Sequence, residues 1–140
     1  MANYYGVNAT KAAAGFIGEN IINQGYNGKE MVLYDEYEAD SLADASTITL
    51  FEKFPVGAVV TEMQMMNDDM GSTVTVKIGD DGDDDRYIVA TSVTTANTKT
   101  DMNNIAGFGY EITGTSDTQV IATVAGTLTG TLKFIVKYVL

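Results

Sequence analysis

Cysteine and histidine are both missing from this chain of 140 residues. Their absence removes disulfides, thiolate nucleophiles, zinc fingers, Ser-His triads and imidazole general bases together. Proline occurs once, so strand interiors are almost free of the residue that breaks a hydrogen-bonded ladder. Without disulfide or structural zinc, stability has to come from the core and from contacts with partner subunits. Most familiar enzyme mechanisms are excluded with those side chains.

Positive charge is scarce as well. Eight basic residues stand against 19 acidic ones, a formal charge of -11, which is the wrong sign for neutralising phosphates or anionic lipid heads. Neither nucleic acid nor a membrane is an expected partner. Long apolar runs are also lacking. AAAGFIG, from Ala12 to Gly18, is short and broken by glycine, no basic segment or cleavage pattern of a signal peptide accompanies it, and no later run approaches the ~18 residues needed to cross a bilayer. The expectation is a soluble protein made in a cytoplasm.

A hydrophobic content of 45% and a charged content of 19% are those of a chain that folds. The length suits one domain. From Lys29 onward, short segments rich in Val, Ile, Thr and Tyr recur between clusters of Gly, Asp, Asn and Ser, the cadence of an all-β sandwich or barrel. Eight strands are predicted: Met31 to Tyr37, Thr47 to Phe51, Ala58 to Met66, Thr73 to Ile78, Tyr87 to Val93, Phe108 to Ile112, Thr118 to Val124 and Thr131 to Val139. Eight is the number a jelly roll uses. Alternation supports strands: Val74, Val76 and Ile78 point one way, Thr73, Thr75 and Lys77 the other. In TLKFIVKYVL, Leu132, Phe134, Val136, Tyr138 and Leu140 share one face, while Ile135 and Val139 lie between Lys133 and Lys137 on the other, as in a central strand half covered on its second face. Pro55 and Gly57 suit the second and last positions of a type I turn. The tract from Thr91 to Thr100 reads as a long surface connection.

Residues 1–30 carry no sustained period. Tyr4, Tyr5, Phe16, Ile17, Ile21 and Ile22 are scattered among Asn and Gly and need burial, which makes this segment either a strand and loop on its own domain or an extended arm ordered against a neighbour. Domain boundaries of 1–30 for the arm and 31–140 for an antiparallel sandwich follow.

The stretch DDGDDDR, Asp80 to Arg86, is the one that looks like a chemical site. Its register fails an EF-hand loop, which needs glycine at the sixth position. Asp80, Asp81, Asp83, Asp84 and Asp85 still offer oxygens for a hard cation, although Asp and Gly are also ordinary turn residues. Arg86 is placed to pair with one of these carboxylates, or with one on an adjacent strand or subunit, as a structural ion pair. No cofactor and no catalytic residue is indicated. Met63 and Met65 are read as core, whereas Met66 and Met70 are candidate contact residues, since flexible thioethers adapt to partner surfaces.

The order of KFPVGAVV, STVTVKIGDDGDDDRYIVAT, AGFGYEI and GTLTGTLKFIVKYVL resembles the small β-sandwich proteins that tailed bacteriophages use to decorate or cement their capsids. The resemblance covers most of Met31 to Leu140, and the segment before it has no counterpart. It implies a jelly-roll or related sandwich that trimerises on the outer capsid lattice and bridges neighbouring capsomers through the major capsid protein, with no active-site residues to carry over. Virion location and a structural rather than enzymatic role follow from it. The alternatives are a glycan- or receptor-binding sandwich of a phage tail or adhesin, which predicts aromatics grouped on exposed loops, and a carboxylate hydrolase, which requires a spaced acid pair that cannot be singled out.

Overall fold

The computed structural model describes residues 29–113 and 118–140, with no helix among them. Eight strands run in chain order among the described residues: β1 (Glu30–Leu42), β2 (Thr47–Phe54), β3 (Val59–Asn67), β4 (Thr75–Asp80), β5 (Asp83–Ser92), β6 (Thr98–Asp101), β7 (Thr118–Ala125) and β8 (Leu128–Val139). They form two antiparallel sheets of four, ordered β1-β8-β3-β6 and β2-β7-β4-β5. Consecutive strands after β1 therefore cross between sheets except at β4–β5, which is the winding of a jelly roll built from two Greek keys.

Period-two patterning explains which faces meet. Val74, Val76 and Ile78 are buried, as are Leu132, Phe134, Val136 and Tyr138 from β8, and the two inner faces interdigitate to form one core. β8 is central, paired with β1 on one side and β3 on the other. Its outward Ile135 and Val139 are half-buried beside Lys133 and Lys137. Leu140 departs from the pattern and is exposed. Met63 and Met65 fill core positions.

Two expected elements differ. Phe108 to Ile112 is not a strand: residues 105–109 form turns, and only Glu111 bridges, to Val59. A strand needs a partner along its length, and the glycines at 107 and 109 let this segment fold over instead. The Thr-rich tract is not all loop, because Thr98–Asp101 pairs with Gln64–Asn67 as the edge strand β6. Its four residues alternate polar with polar, so no apolar face announced it. The turn after β2 is also shifted by one residue: Ala58 N–H donates to the Pro55 carbonyl at 3.2 Å, and Gly57, with φ 88°, occupies the third position. That positive φ is why glycine stands there.

The strand register fixes two ends. At one lie the start of β1, the Pro55–Ala58 turn, the β4–β5 hairpin and the connection that follows β6; Glu30 pairs with Val139, which pairs with Val59, while Phe54 faces Thr118 and Asp80 faces both Val120 and Asp83. At the other end lie the links after β1, β3, β5 and β7.

Candidate functional site

The DDGDDDR segment forms the β4–β5 hairpin, with Asp81 and Gly82 as the turn between paired Asp80 and Asp83. Gly79, just before it, accommodates a bulge: a Cβ at that position would stand 2.1 Å from the Asp83 carbonyl oxygen. The hairpin thus closes tightly only with glycine there.

Its aspartates divide into two groups. Asp80 turns inward and its side chain is 2% exposed. Oδ2 accepts from Arg86 Nε at 2.6 Å and from the Tyr87 hydroxyl at 3.1 Å, while Oδ1 accepts from the backbone N–H groups of Gly82 at 3.0 Å and Asp83 at 3.2 Å. A buried carboxylate with four donors is satisfied and held. Its bonds to the Gly82 and Asp83 N–H groups pin the turn. Burial draws the Arg86 pKa down, but hydrogen bonding to Asp80 and its charge more than offset this and the net shift is upward. Burial, reinforced by the charge of Asp80, pushes the Tyr87 phenol far above its ordinary range.

Asp83, Asp84 and Asp85 form the second group, each offering one oxygen within 4.8 Å of the others. These three residues could hold a hard cation, with Asp80 withdrawn from the set. Lys77 already pairs with Asp84. Asp81 Oδ2 accepts weakly from Gln119 N–H at 3.4 Å. Hydrogen bonding to Asp83, with like charges around it, raises the Asp85 carboxyl above the usual range.

The connection after β6 locks onto this hairpin. Asn103 and Asn104 N–H groups donate to the Tyr87 carbonyl, and Asn104 Nδ2 donates to the Asp85 carbonyl at 2.9 Å. The Tyr110 ring lies under the Arg86 guanidinium, 3.9 Å from its centroid, a cation–π contact in a largely desolvated setting. Gly107 permits the approach, since a Cβ there would come within 2.6 Å of the Arg86 carbonyl oxygen. Sequence reasoning missed Asn104 and Tyr110 because their partners are 19 and 24 positions away, with no local pattern linking them. It also missed that this connection exposes Ile105 and Phe108. The only signal was apolar residues set between Asn and Gly with no period.

The structure separates the remaining candidates. Met66 is exposed on the outer face of the β1-β8-β3-β6 sheet, where it borders a recess of about 180 Å³ with Tyr34, Gln64, Lys99, Lys133 and Ile135. Met70 is only 2% exposed and belongs to the core, so its thioether is occupied within its own domain. It fills the space over Gly130, where a Cβ would lie 2.8 Å from Sδ. Tyr4, Tyr5, Phe16, Ile17, Ile21 and Ile22 lie outside the described residues.

Fold and site together define a jelly-roll sandwich in which the buried Asp80 carboxylate is fully satisfied by Arg86, Tyr87 and the hairpin backbone. No family model and no curated protein matches the chain. Solved structures do. A chain of the cyanophage Pam1 capsid asymmetric unit is similar over 83% of this chain and 88% of its own length, with 26% identity and a TM-score of 0.70. A chain of the capsid of Ralstonia phage GP4 shares the fold at 19% identity and a TM-score of 0.63, covering 80% and 84%. A chain of the capsid of Helicobacter pylori bacteriophage KHP30 shares it at 16% identity and 0.58, covering 79% and 87%. The fold is one found in phage capsids, which supports a capsid-type structural protein.

Proposed function

We propose that this chain is a structural virion protein that decorates the outer surface of a bacteriophage capsid and stabilises it by bridging neighbouring capsomers, as a homotrimer bound to the major capsid protein. The observation that carries this reading is the jelly roll shared with a chain of the Pam1 capsid over 83% of this chain and 88% of that one. In this reading the residues before β1 form an arm that contacts a neighbouring subunit or the shell, a boundary slightly earlier than the expected 1–30 because Glu30 already pairs with Val139. The commitment of Asp80 and Arg86 to one another supports a structural rather than catalytic role. A net charge of -11 suits a protein displayed in many copies, since it discourages association of particles. The glycan-binding alternative gains no support, because the two exposed aromatics among the described residues lie apart, Tyr34 on a sheet face and Phe108 in the connection after β6.

Cryo-microscopy of the source virion tests this directly. Density fitting this sandwich outside the shell, at positions spanning two or more capsomers, is the expected result. Absence of the chain from purified virions, or its location inside the shell, refutes the proposal. Deleting Met1 to Gly28 is expected to leave a soluble, folded sandwich that binds particles more weakly.

A further inference from the structure

We propose that the end of the sandwich bearing Ile105 and Phe108 is the docking surface, and that it fits an apolar recess rimmed by basic side chains on a different protein of the capsid shell. This deepens the capsid reading and rests on it.

Exposed apolar side chains distinguish this end from the opposite one, although Val32, Tyr34 and Met66 are exposed along the outer sheet as well. Single exposed hydrophobics are ordinary, but grouping is not. Ile105 is 92% exposed and Phe108 74%, in the connection after β6, and exposed Val56 and Met31 sit at the same end, in the β2–β3 turn and at the start of β1. The four links at the opposite end expose no large hydrophobic side chain among the described residues. The sandwich is therefore polarised.

The connection that presents them is braced rather than loose. Asn104 is tied to Tyr87 and Asp85, Ala106 N–H donates to Asn104 Oδ1, Gly107 N–H to the Asn104 carbonyl, and Gly109 N–H to the Val60 carbonyl at 2.8 Å. A backbone held in place before binding loses less entropy on association. The Asp80–Arg86 ion pair and the stacking of Arg86 on Tyr110 tie the same connection to the β4–β5 hairpin.

Charge identifies the partner. Asp81, Asp83 and Asp85 on the β4–β5 hairpin and Glu111 opposite Val59 lie at this end, whereas Lys77 is paired with Asp84 and Arg86 with Asp80, leaving Lys29 as the exposed cation among the side chains described there. Two copies of this chain meeting end to end would bring like rims together, which is unfavourable. A partner with basic groups around an apolar recess is complementary.

Particles of the source phage assembled without this chain, mixed with the full-length protein, provide the test. Ile105→Ser with Phe108→Ser is expected to weaken binding by about 30-fold or more, the scale of a lost interface anchor, with an unchanged melting temperature. Tyr34→Ser with Met66→Ser, on the sheet face, is expected to bind as wild type does, and wild-type binding is expected to weaken as salt rises. Ile105→Lys, at a site too exposed to affect folding, keeps the test open should the double variant misfold: it is expected to lose at least as much. If wild type binds and the end variants bind equally well, the docking surface is wrong while the capsid reading stands. Variants that abolish self-association but not particle binding would show the end to be a contact between copies, overturning the proposal. Failure of wild type to bind any particle removes the capsid reading and this inference with it.

Discussion

Arg86 and Asp80 form a nearly solvent-free ion pair, with Nε 2.6 Å from Oδ2 and side chains 15% and 2% exposed. Cutting one partner of such a pair leaves an uncompensated charge in a poorly hydrated place. Arg86→Met is therefore expected to destabilise the fold by about 3 kcal/mol in urea unfolding, and Asp80→Asn added to it should restore part of the loss through their coupling. Strictly additive effects of the two substitutions would show that Arg86 and Asp80 are not coupled.

The outer aspartates are expected to behave differently. Asp84 is 65% exposed at its side chain and its pairing with Lys77 is a surface one, so Asp83→Asn with Asp84→Asn should change stability by no more than ~0.5 kcal/mol. Asp84 already pairs with Lys77, and a cation on these three carboxylates of one hairpin would leave much of its shell to water, which makes for weak binding. Millimolar calcium is expected to leave the melting temperature unchanged; a rise of many degrees that the double variant lacks would establish a cation site.

Tyr87 links stability to alkaline pH. Its phenol keeps its proton in the fold far beyond the ordinary value near 10, because burial opposes ionisation. Above about pH 10 the unfolded chain releases that proton and the native one does not, so this group's contribution is present below that pH and declines as pH rises. Chemical denaturation from pH 8 to 11 should show stability falling at the upper end, with a shallower fall in Tyr87→Phe.

Met66 and Met70 are expected to separate by several kcal/mol in effect. Met70→Ala creates a cavity over Gly130 and should cost roughly 2–5 kcal/mol, while Met66→Ala, on the outer face, should cost less than ~0.5. Similar thermal shifts for the two would mean that the burial of Met70 is not what fixes its role.

Much of the architecture is legible in the chain because period-two alternation is a local signal. Val74, Val76 and Ile78, and Leu132 through Tyr138, declare their inner faces within a single strand, and burial then follows from the hydrophobic effect. The absence of histidine and cysteine likewise narrowed the chemistry before any fold was known. The aspartate run declared a turn, and Arg86 beside it declared a partner, since opposite charges so close in sequence have few other places to go.

What the chain could not declare was which of five similar aspartates is withdrawn from solvent, or which apolar residues are left in it. Asp80 is chosen by the bulge at Gly79, by Tyr87 and by the loop carrying Tyr110, and these converge only when β5 and the connection after β6 are brought to the same end. Phe108 has the composition of a strand residue and lies instead in a braced loop, and Thr98–Asp101 has the composition of a loop and pairs as a strand. Local preference set the strands' inner faces; pairing, charge burial and exposure depend on partners far apart in sequence, and only the tertiary structure decides them.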